Sequence, residues 1–117
     1  MSGDSDDAEL LALLEDDYAR EILAATSAQP MSAERLSQHC DASDSTIYRR
    51  VDRLKDHDLI DEQTRIDPDG HHYNTYVSCL ESVTVTFDDG EYRVELERRP
   101  PAGEDPADRF TRMWQDL

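Results

Sequence analysis

The polar residues of segment 44–57 are those whose types and spacing favour a chemical role. Hydroxyl and guanidinium groups are concentrated there, at Ser45, Thr46, Tyr48, Arg49, Arg50 and Arg53. Such groups donate hydrogen bonds to phosphate oxygens and to the edges of bases. We therefore interpret them as candidate nucleic-acid contacts.

Two short helices joined by a tight turn are predicted over residues 32–59. Ser32 is placed to cap the first helix, which carries Leu36 and Cys40 four residues apart on one face. Asp41 then falls in the break, where an aspartate tolerates left-handed backbone geometry. Ser43 is a good N-cap for the second helix.

The second helix of this pair has one apolar and one polar face. Its apolar stripe consists of Ile47, Val51 and Leu54. At about 100° per residue, the opposite face carries Ser45, Arg49, Asp52, Arg53 and Asp56. A helix of this kind, held by a short capped helix before it, suits insertion into a DNA major groove.

A leucine-rich segment precedes the helix pair. Helical signal starts near Ala8, is interrupted at Asp16 and Asp17, whose charge suits a helix N-terminus, and continues to about Ala28. The proline at position 30 ends it. The leucines are candidates for a dimer surface, with packing inside one molecule as an equal alternative: Leu10, Leu11 and Leu14.

Two β-hairpins are predicted after the helix pair. Strands over residues 59–66 and 71–78, joined by a turn at 67–70, have the place and size of a wing. The wing tip offers Arg65, His71 and His72 for minor-groove or backbone contact. Residues 83–96 form a second hairpin with one apolar and one charged face, turning at 88–90.

The last segment predicts a C-terminal helix. A break at residues 100–103 is followed by Pro106, which is favourable near the first turn of a helix. Apolar residues then fall at i, i+3, i+4 and i+7: Phe110, Met113, Trp114 and Leu117. This stripe is expected to bury itself on a two-fold partner, with docking on its own sheet as the open alternative.

These elements together predict an α+β protein, a winged helix-turn-helix with an additional β-hairpin and a C-terminal helix. Residues 1–7 are expected to be a disordered acidic N-terminus. Residues 8–78 are the expected DNA-binding core, and residues 79–117 the expected dimerisation part.

The charge of the chain conflicts with a nucleic-acid partner. The 117 residues include 28 acidic and 12 basic ones, giving a formal net charge of −16, and Lys55 is the sole lysine. DNA phosphates repel such a chain. However, the acidic residues are spread throughout, which is typical of adaptation to molar salt, where the screening length falls to about 3 Å. The alternative is an acidic protein that binds something other than DNA.

Other functional classes find little support. Cys40 and Cys79 lack the spacing of a metal site or a disulfide framework. Cys40 is expected to fill the core and Cys79 a half-buried position between the hairpins. No nucleophile elbow, phosphate-binding glycine loop or helical histidine pair indicates an enzyme, and no cofactor is expected. With neither a membrane-length apolar segment nor a signal peptide, we expect a cytoplasmic protein.

The order helix, helix-turn-helix, two-stranded wing resembles winged-helix transcription regulators of the ArsR/PadR type. The resemblance covers residues 10–78 and is carried by segments 17–23, 32–36, 43–54 and 58–60. With its acidic composition, the chain is similar to small haloarchaeal regulators of the RosR type, which are associated with the response to reactive oxygen. This resemblance implies a homodimer on a roughly palindromic site, with recognition helices in successive major grooves about 34 Å apart.

The resemblance also implies a role for each candidate residue. By position, Ser45, Thr46, Tyr48 and Arg49 would face bases or nearby phosphates, Arg50 and Arg53 would contact phosphates, and Arg65, His71 and His72 would lie over the minor groove. Asp41 departs from the family, which usually has glycine in the turn.

Asp52 and Asp56 are further departures, because they lie beside the arginines and lower the local positive charge. We expect poor DNA binding at low salt, and hypothesise that cations bridge these acids to phosphates or that the dimer acts where repulsion is screened. Two rival functions stay open. One is a protein-interaction module that uses the Phe110 and Trp114 stripe; the other is a repressor that senses metal or oxidant through its cysteines.

Overall fold

The computed structural model describes residues 2–99, with side chains described from residue 7 onward. Within this range the element order is α1 (Ser2–Glu15), α2 (Asp17–Ala28), β1 (Met31–Ser32), α3 (Ala33–Cys40), α4 (Asp44–Asp56), β2 (Ile60–Ile66), β3 (His72–Ser78), β4 (Leu80–Asp88) and β5 (Glu91–Arg98). This is an α+β fold in which a helix-turn-helix, α3–α4, is followed by a wing, β2–β3. The predicted fold class is confirmed.

The caps of the helix pair follow the sequence prediction. The Ser32 hydroxyl accepts a hydrogen bond from the Arg35 backbone N–H at 3.2 Å, and the Ser43 hydroxyl accepts one from the Thr46 N–H at 3.2 Å. Both interactions satisfy N–H groups that the first turn of a helix cannot satisfy itself. Asp41 ends α3 in the left-handed conformation, with φ 52° and ψ 50°.

A three-stranded antiparallel sheet fixes the wing to the helix pair. Its strand order is β1-β3-β2, so β3 pairs on both edges. Ile60 is opposite Ser78 at one end of the β2–β3 ladder, and Ile66 is opposite His72 at the other. The short strand β1, which was not predicted, pairs Met31 with Tyr76.

The core lies between the helices and the base of the wing. Its largest fully buried side chains come from all four helices and from the segment before β2: Leu13, Ile22, Thr26, Leu36, Ile47, Val51, Leu54 and Leu59. Burying each large aliphatic side chain contributes about 1.5–3 kcal/mol. Cys40 is buried in the same core, as predicted.

Two expectations for α1 are corrected. The helix begins at Ser2, so residues 2–7, expected to be disordered, are helical in the structure. Once Leu13 and its neighbours anchor a helix, each added residue gains a backbone hydrogen bond at little further cost. Leu10, a predicted dimer contact, is buried in the core of its own chain, whereas Leu11 and Leu14 are partly exposed.

The second hairpin, β4–β5, docks beside the C-terminal end of α4. The Arg98 guanidinium donates to the carbonyls of His57 and Asp58, each at 3.2 Å, and Val94 and Leu96 pack against the core. Within residues 2–99 nothing covers the far end of the apolar face, where Phe87 is 78% exposed and contacts Tyr92. The predicted second hairpin is therefore present with an incompletely covered face.

The predicted C-terminal helix, with its stripe of Phe110, Met113, Trp114 and Leu117, lies outside the described residues. Among the helices described, none is long and apolar enough to cross a membrane.

Candidate nucleic-acid interface

The exposed face of α4 is open to solvent, as an interface with DNA requires. Ile47, Val51 and Leu54 face the core. Eight side chains on the remaining surface are exposed: Asp44, Ser45, Tyr48, Arg49, Asp52, Arg53, Lys55 and Asp56. The helical phase predicted from the sequence is therefore confirmed, and none of the protein described over residues 2–99 covers the side chains of Arg49 and Arg53.

The N-terminal end of α4 carries a cluster of hydroxyls. The Ser43 hydroxyl lies 2.9 Å from the Thr46 hydroxyl and 3.2 Å from that of Ser45. Ser45 is exposed and Thr46 half-buried, so Thr46 serves mainly the cap. An exposed helix N-terminus with hydroxyl donors is favourable for a phosphate oxygen, because unpaired N–H groups and the helix dipole both attract negative charge.

Tyr48 lies on the side of α4 that faces the wing and is 50% exposed. Its neighbour on β3, Tyr76, is buried beside Glu62. Burial is the main cause that raises the pKa of Tyr76, and the Glu62 carboxylate raises it further. Lys55 makes a further link between α4 and the wing, with its ammonium 3.3 Å from a Glu62 carboxylate oxygen. Tyr48 is thus half exposed at the boundary between α4 and the wing.

Arg50 is turned toward the protein. Its Nε lies 2.9 Å from Asp16 Oδ2 and a terminal nitrogen lies 3.2 Å from Asp16 Oδ1, while the guanidinium carbon is 5.8 Å from the centre of the Tyr18 ring. The hydrogen bond from Arg50 holds the pKa of Asp16 below its usual range. This geometry does not favour the phosphate contact predicted for Arg50, because the fork of its guanidinium is occupied.

The partnership of Arg50 with Asp16 and Tyr18 was not predicted from the sequence. Asp16 was predicted only as a helix start, a role it also has, since its carboxylate accepts from the Ala19 N–H at 2.8 Å. The helical wheel offered one signal, because Arg50 lies next to the buried stripe and not opposite it.

The wing presents its candidate residues at an exposed tip. Arg65 and His72 are exposed on β2 and β3, and Arg65 donates to the Gln63 side chain at 2.7 Å. His71 precedes β3, so it lies in the turn and not on the strand as predicted. Its Nδ1 is 3.6 Å from Asp67 Oδ2.

Among the described residues, one group has donor atoms close enough to hold a cation. Asp67, Asp69 and His71 each place one such atom within 4.8 Å of the others. One oxygen of Asp67 already accepts from the N–H groups of Asp69 and His71, each at 2.9 Å, which shapes the turn. These three residues therefore belong to the turn at the exposed tip of the wing.

The two cysteines are buried thiols. Burial, with Glu21 nearby, raises the pKa of Cys40 to about 11, and burial, with Asp61 nearby, raises the pKa of Cys79 to about 11. Because the thiolate is the reactive form of cysteine, both groups are poorly suited to sensing an oxidant at neutral pH.

The family comparison agrees with this architecture. Residues 14–63 match the family model of a helix-turn-helix domain, a span that runs from the end of α1 into β2. No curated protein matches the chain. The fold and the family match together define a winged helix-turn-helix domain, and they support assignment of the chain to the DNA-binding transcription regulators.

Proposed function

We propose that this protein is a sequence-specific DNA-binding transcription regulator of the ArsR/PadR type that acts as a homodimer at high salt. The observation that carries the proposal is the uncovered Arg49 and Arg53 face of α4, within a capped helix-turn-helix that is followed by a wing. An exposed helix with donors at its leading half is what a major groove accepts.

The proposed contacts are divided by their place on the molecule. Base edges or nearby phosphates are contacted by Ser45, Tyr48 and Arg49, with Thr46 supporting the helix cap. Arg53 contacts a phosphate. The wing residues Arg65, His71 and His72 lie over the minor groove or its backbone. Arg50 has no proposed DNA contact, because its guanidinium faces Asp16 of the same chain.

We assign dimerisation to residues 79–117, together with Leu11 and Leu14. The uncovered Phe87 and Tyr92 at the tip of the second hairpin support this assignment, because exposed apolar side chains of this size are typical of interaction surfaces. The terminal residues Phe110, Met113, Trp114 and Leu117 supply the rest of the proposed interface.

Molar salt is part of the proposal because of the acidic surface. Asp52 and Asp56 are exposed on the same helix as Arg49, and the chain carries a net charge of −16. Screening to about 3 Å at 1 M salt removes most of the long-range repulsion from DNA. Cations between these acids and phosphates would remove more, and affinity that falls steeply up to molar KCl would contradict this part of the proposal.

The deciding experiment measures binding to a duplex selected from a random library with wild-type protein in molar KCl. We expect Arg49→Ala to weaken binding by about 1–3 kcal/mol and to relax sequence preference, as for loss of a direct base contact. Arg20→Ala is the matched control, since Arg20 is an exposed arginine on α2, outside both proposed interfaces, and should have no effect. Failure to select any duplex, or equal effects of the two variants, would overturn the proposal.

A protein-interaction module is the second candidate, favoured by the 78% exposure of Phe87. In that case Phe87→Ser would abolish partner binding while Arg49→Ala would be silent. A DNA regulator instead loses duplex affinity with Arg49→Ala while it keeps its dimer, whereas Phe87→Ser weakens the dimer, so the response to Arg49→Ala separates the two functions.

A role in the response to reactive oxygen is compatible with the resemblance to haloarchaeal regulators. The buried thiols of Cys40 and Cys79 are, however, poorly suited to sensing an oxidant, because burial keeps them protonated at neutral pH. We propose that any such response does not require Cys40 or Cys79. Cys40→Ser and Cys79→Ser variants that lose an oxidant-dependent change in DNA binding would contradict this.

A further inference from the structure

A side-chain link joins the α1–α2 junction to the middle of α4. Asp16 lies between α1 and α2, and caps α2 through the Ala19 N–H. The same carboxylate accepts two hydrogen bonds from Arg50, which is 34 residues away in the chain. Both side chains are partly buried, with 23% of Arg50 and 24% of Asp16 exposed.

The geometry of this link fixes orientation as well as distance. A guanidinium that donates through two nitrogens to one carboxylate has a defined plane and direction. The Tyr18 ring lies 5.8 Å from the same guanidinium and restricts it on a second side. Arg50 follows Arg49 directly on α4, so the direction in which Arg49 points depends on how far α4 is rotated about its axis.

We propose that Asp16 and Arg50 are positioning residues that set the rotation of α4 relative to α2, and thereby aim Arg49 and Arg53 at DNA. The proposal rests on the proposed DNA-binding function and deepens it. It assigns no phosphate contact to Arg50, and it makes Asp16, an acidic residue outside the helix pair, favourable for DNA binding.

The alternative is that Arg50 leaves Asp16 when DNA arrives and contacts a phosphate. The two possibilities predict opposite effects of neutralising Asp16. If Arg50 contacts a phosphate, removal of its competitor frees the arginine, and removal of a negative charge also reduces repulsion, so binding tightens. If the pair positions α4, binding weakens although the protein has become less acidic.

The test compares Asp16→Asn with Asp17→Asn in the selected-duplex assay. Each variant removes one negative charge, at adjacent positions, and asparagine retains the capping ability of Asp16. Asp17 is 82% exposed and pairs with Arg20. We expect Asp16→Asn to bind about tenfold more weakly than Asp17→Asn, the factor that follows from losing one interaction of about 1.4 kcal/mol.

Arg50→Lys is the second variant, and it serves also if Asp16→Asn folds poorly. Lysine keeps the charge and contacts phosphates well, but it lacks the planar fork. We expect weaker binding to the selected duplex, with an unchanged slope of log affinity against log salt concentration. Arg53→Gln should instead make this slope less negative by about 0.9, the value for one lost phosphate contact. Circular dichroism at the assay temperature verifies that each variant is folded.

The outcomes distinguish a failure of the proposed DNA-binding function from a failure of the positioning role alone. If the wild type selects no duplex, the proposed function fails, and this inference fails with it. If the wild type binds but Asp16→Asn binds as tightly as Asp17→Asn or more tightly, or if Arg50→Lys retains full affinity, only the positioning role is overturned. An Asp16→Asn, Arg50→Gln double variant no weaker than either single variant would support the positioning role, because residues that act through one contact are not additive.

Discussion

Asp41 shows how a single residue shapes the turn between α3 and α4. Its φ of 52° lies in the left-handed region, which costs an ordinary L-residue about 1–2 kcal/mol and an aspartate less. The sequence predicted this conformation, because the position between two helices needs a residue that tolerates it. The conformation is a local property, which is why a single residue type was enough to indicate it.

Replacing Asp41 by glycine should therefore stabilise the protein. We expect Asp41→Gly to raise the free energy of unfolding by about 0.5 kcal/mol, since relief of the left-handed strain exceeds the entropy that glycine gains in the unfolded chain. Asp41→Ala should lower it by about 1 kcal/mol. Urea denaturation in molar KCl measures both, and a glycine variant less stable than the alanine one would contradict this explanation.

The buried thiols give a prediction about pH. With pKa values raised to about 11, Cys40 and Cys79 are protonated at neutral pH in the folded protein, so they should react slowly with iodoacetamide until the pH approaches 11. In the unfolded chain the midpoint should return to about 8.5. Rates of alkylation against pH, with and without guanidinium, test this. Rapid alkylation of folded protein at pH 7 would revive the thiol-sensor alternative.

At the scale of elements, the sequence predicted periodicity well and long-range pairing poorly. The apolar stripe of α4 and the alternation in both hairpins are visible in short windows, so these elements were placed to within a few residues. The strand β1 has two residues, too few for any pattern. The pairing of Asp16 with Arg50 joins residues that no local window contains, so it could not be predicted from the sequence, and the contact of Arg50 with DNA stays a prediction.

The Asp16–Arg50 pair should make the attachment of α2 to α4 sensitive to acid. Because the pKa of Asp16 is lowered in the folded state, its contribution to stability is present above the usual value of 3.8 and is lost as the pH falls through the lower folded value. We expect Asp16→Asn to be less stable than wild type by about 1 kcal/mol at pH 6. This difference should shrink below about pH 4.

Thermal unfolding of both proteins between pH 6 and pH 2 measures the difference, with Asp17→Asn as a control that keeps the pair intact. A gap between wild type and Asp16→Asn that stays constant down to pH 2 would show that the carboxylate is not stabilised by Arg50.

At the scale of the whole molecule, the net charge of −16 opposes folding as well as DNA binding. The described fold pairs few of the acidic groups, so self-repulsion among the rest must be screened by ions. Composition alone indicated this property, since charge balance does not depend on the fold.

Raising KCl from about 0.1 M to about 1 M shortens the screening length from about 10 Å to about 3 Å. We expect a gain of at least 1 kcal/mol in stability, which corresponds to a rise of about 4–8 °C in Tm for a domain of this size. Sucrose at equal osmolality is the control for general exclusion effects. A Tm that does not change with KCl would argue against adaptation to salt.

The strand β1 also constrains how this protein can be divided. Ser32 is both the last residue of β1, hydrogen-bonded in the ladder with β3, and the N-cap of α3. In a chimera that grafts the wing of a relative onto this helix pair, the transplanted β3 pairs with the host's β1, so the residue that replaces Tyr76 has to pack against the buried Met31. Exchange of the block from residue 31 to residue 78 keeps this contact intact, and designs with a junction inside it that lose the contact should express as poorly folded protein.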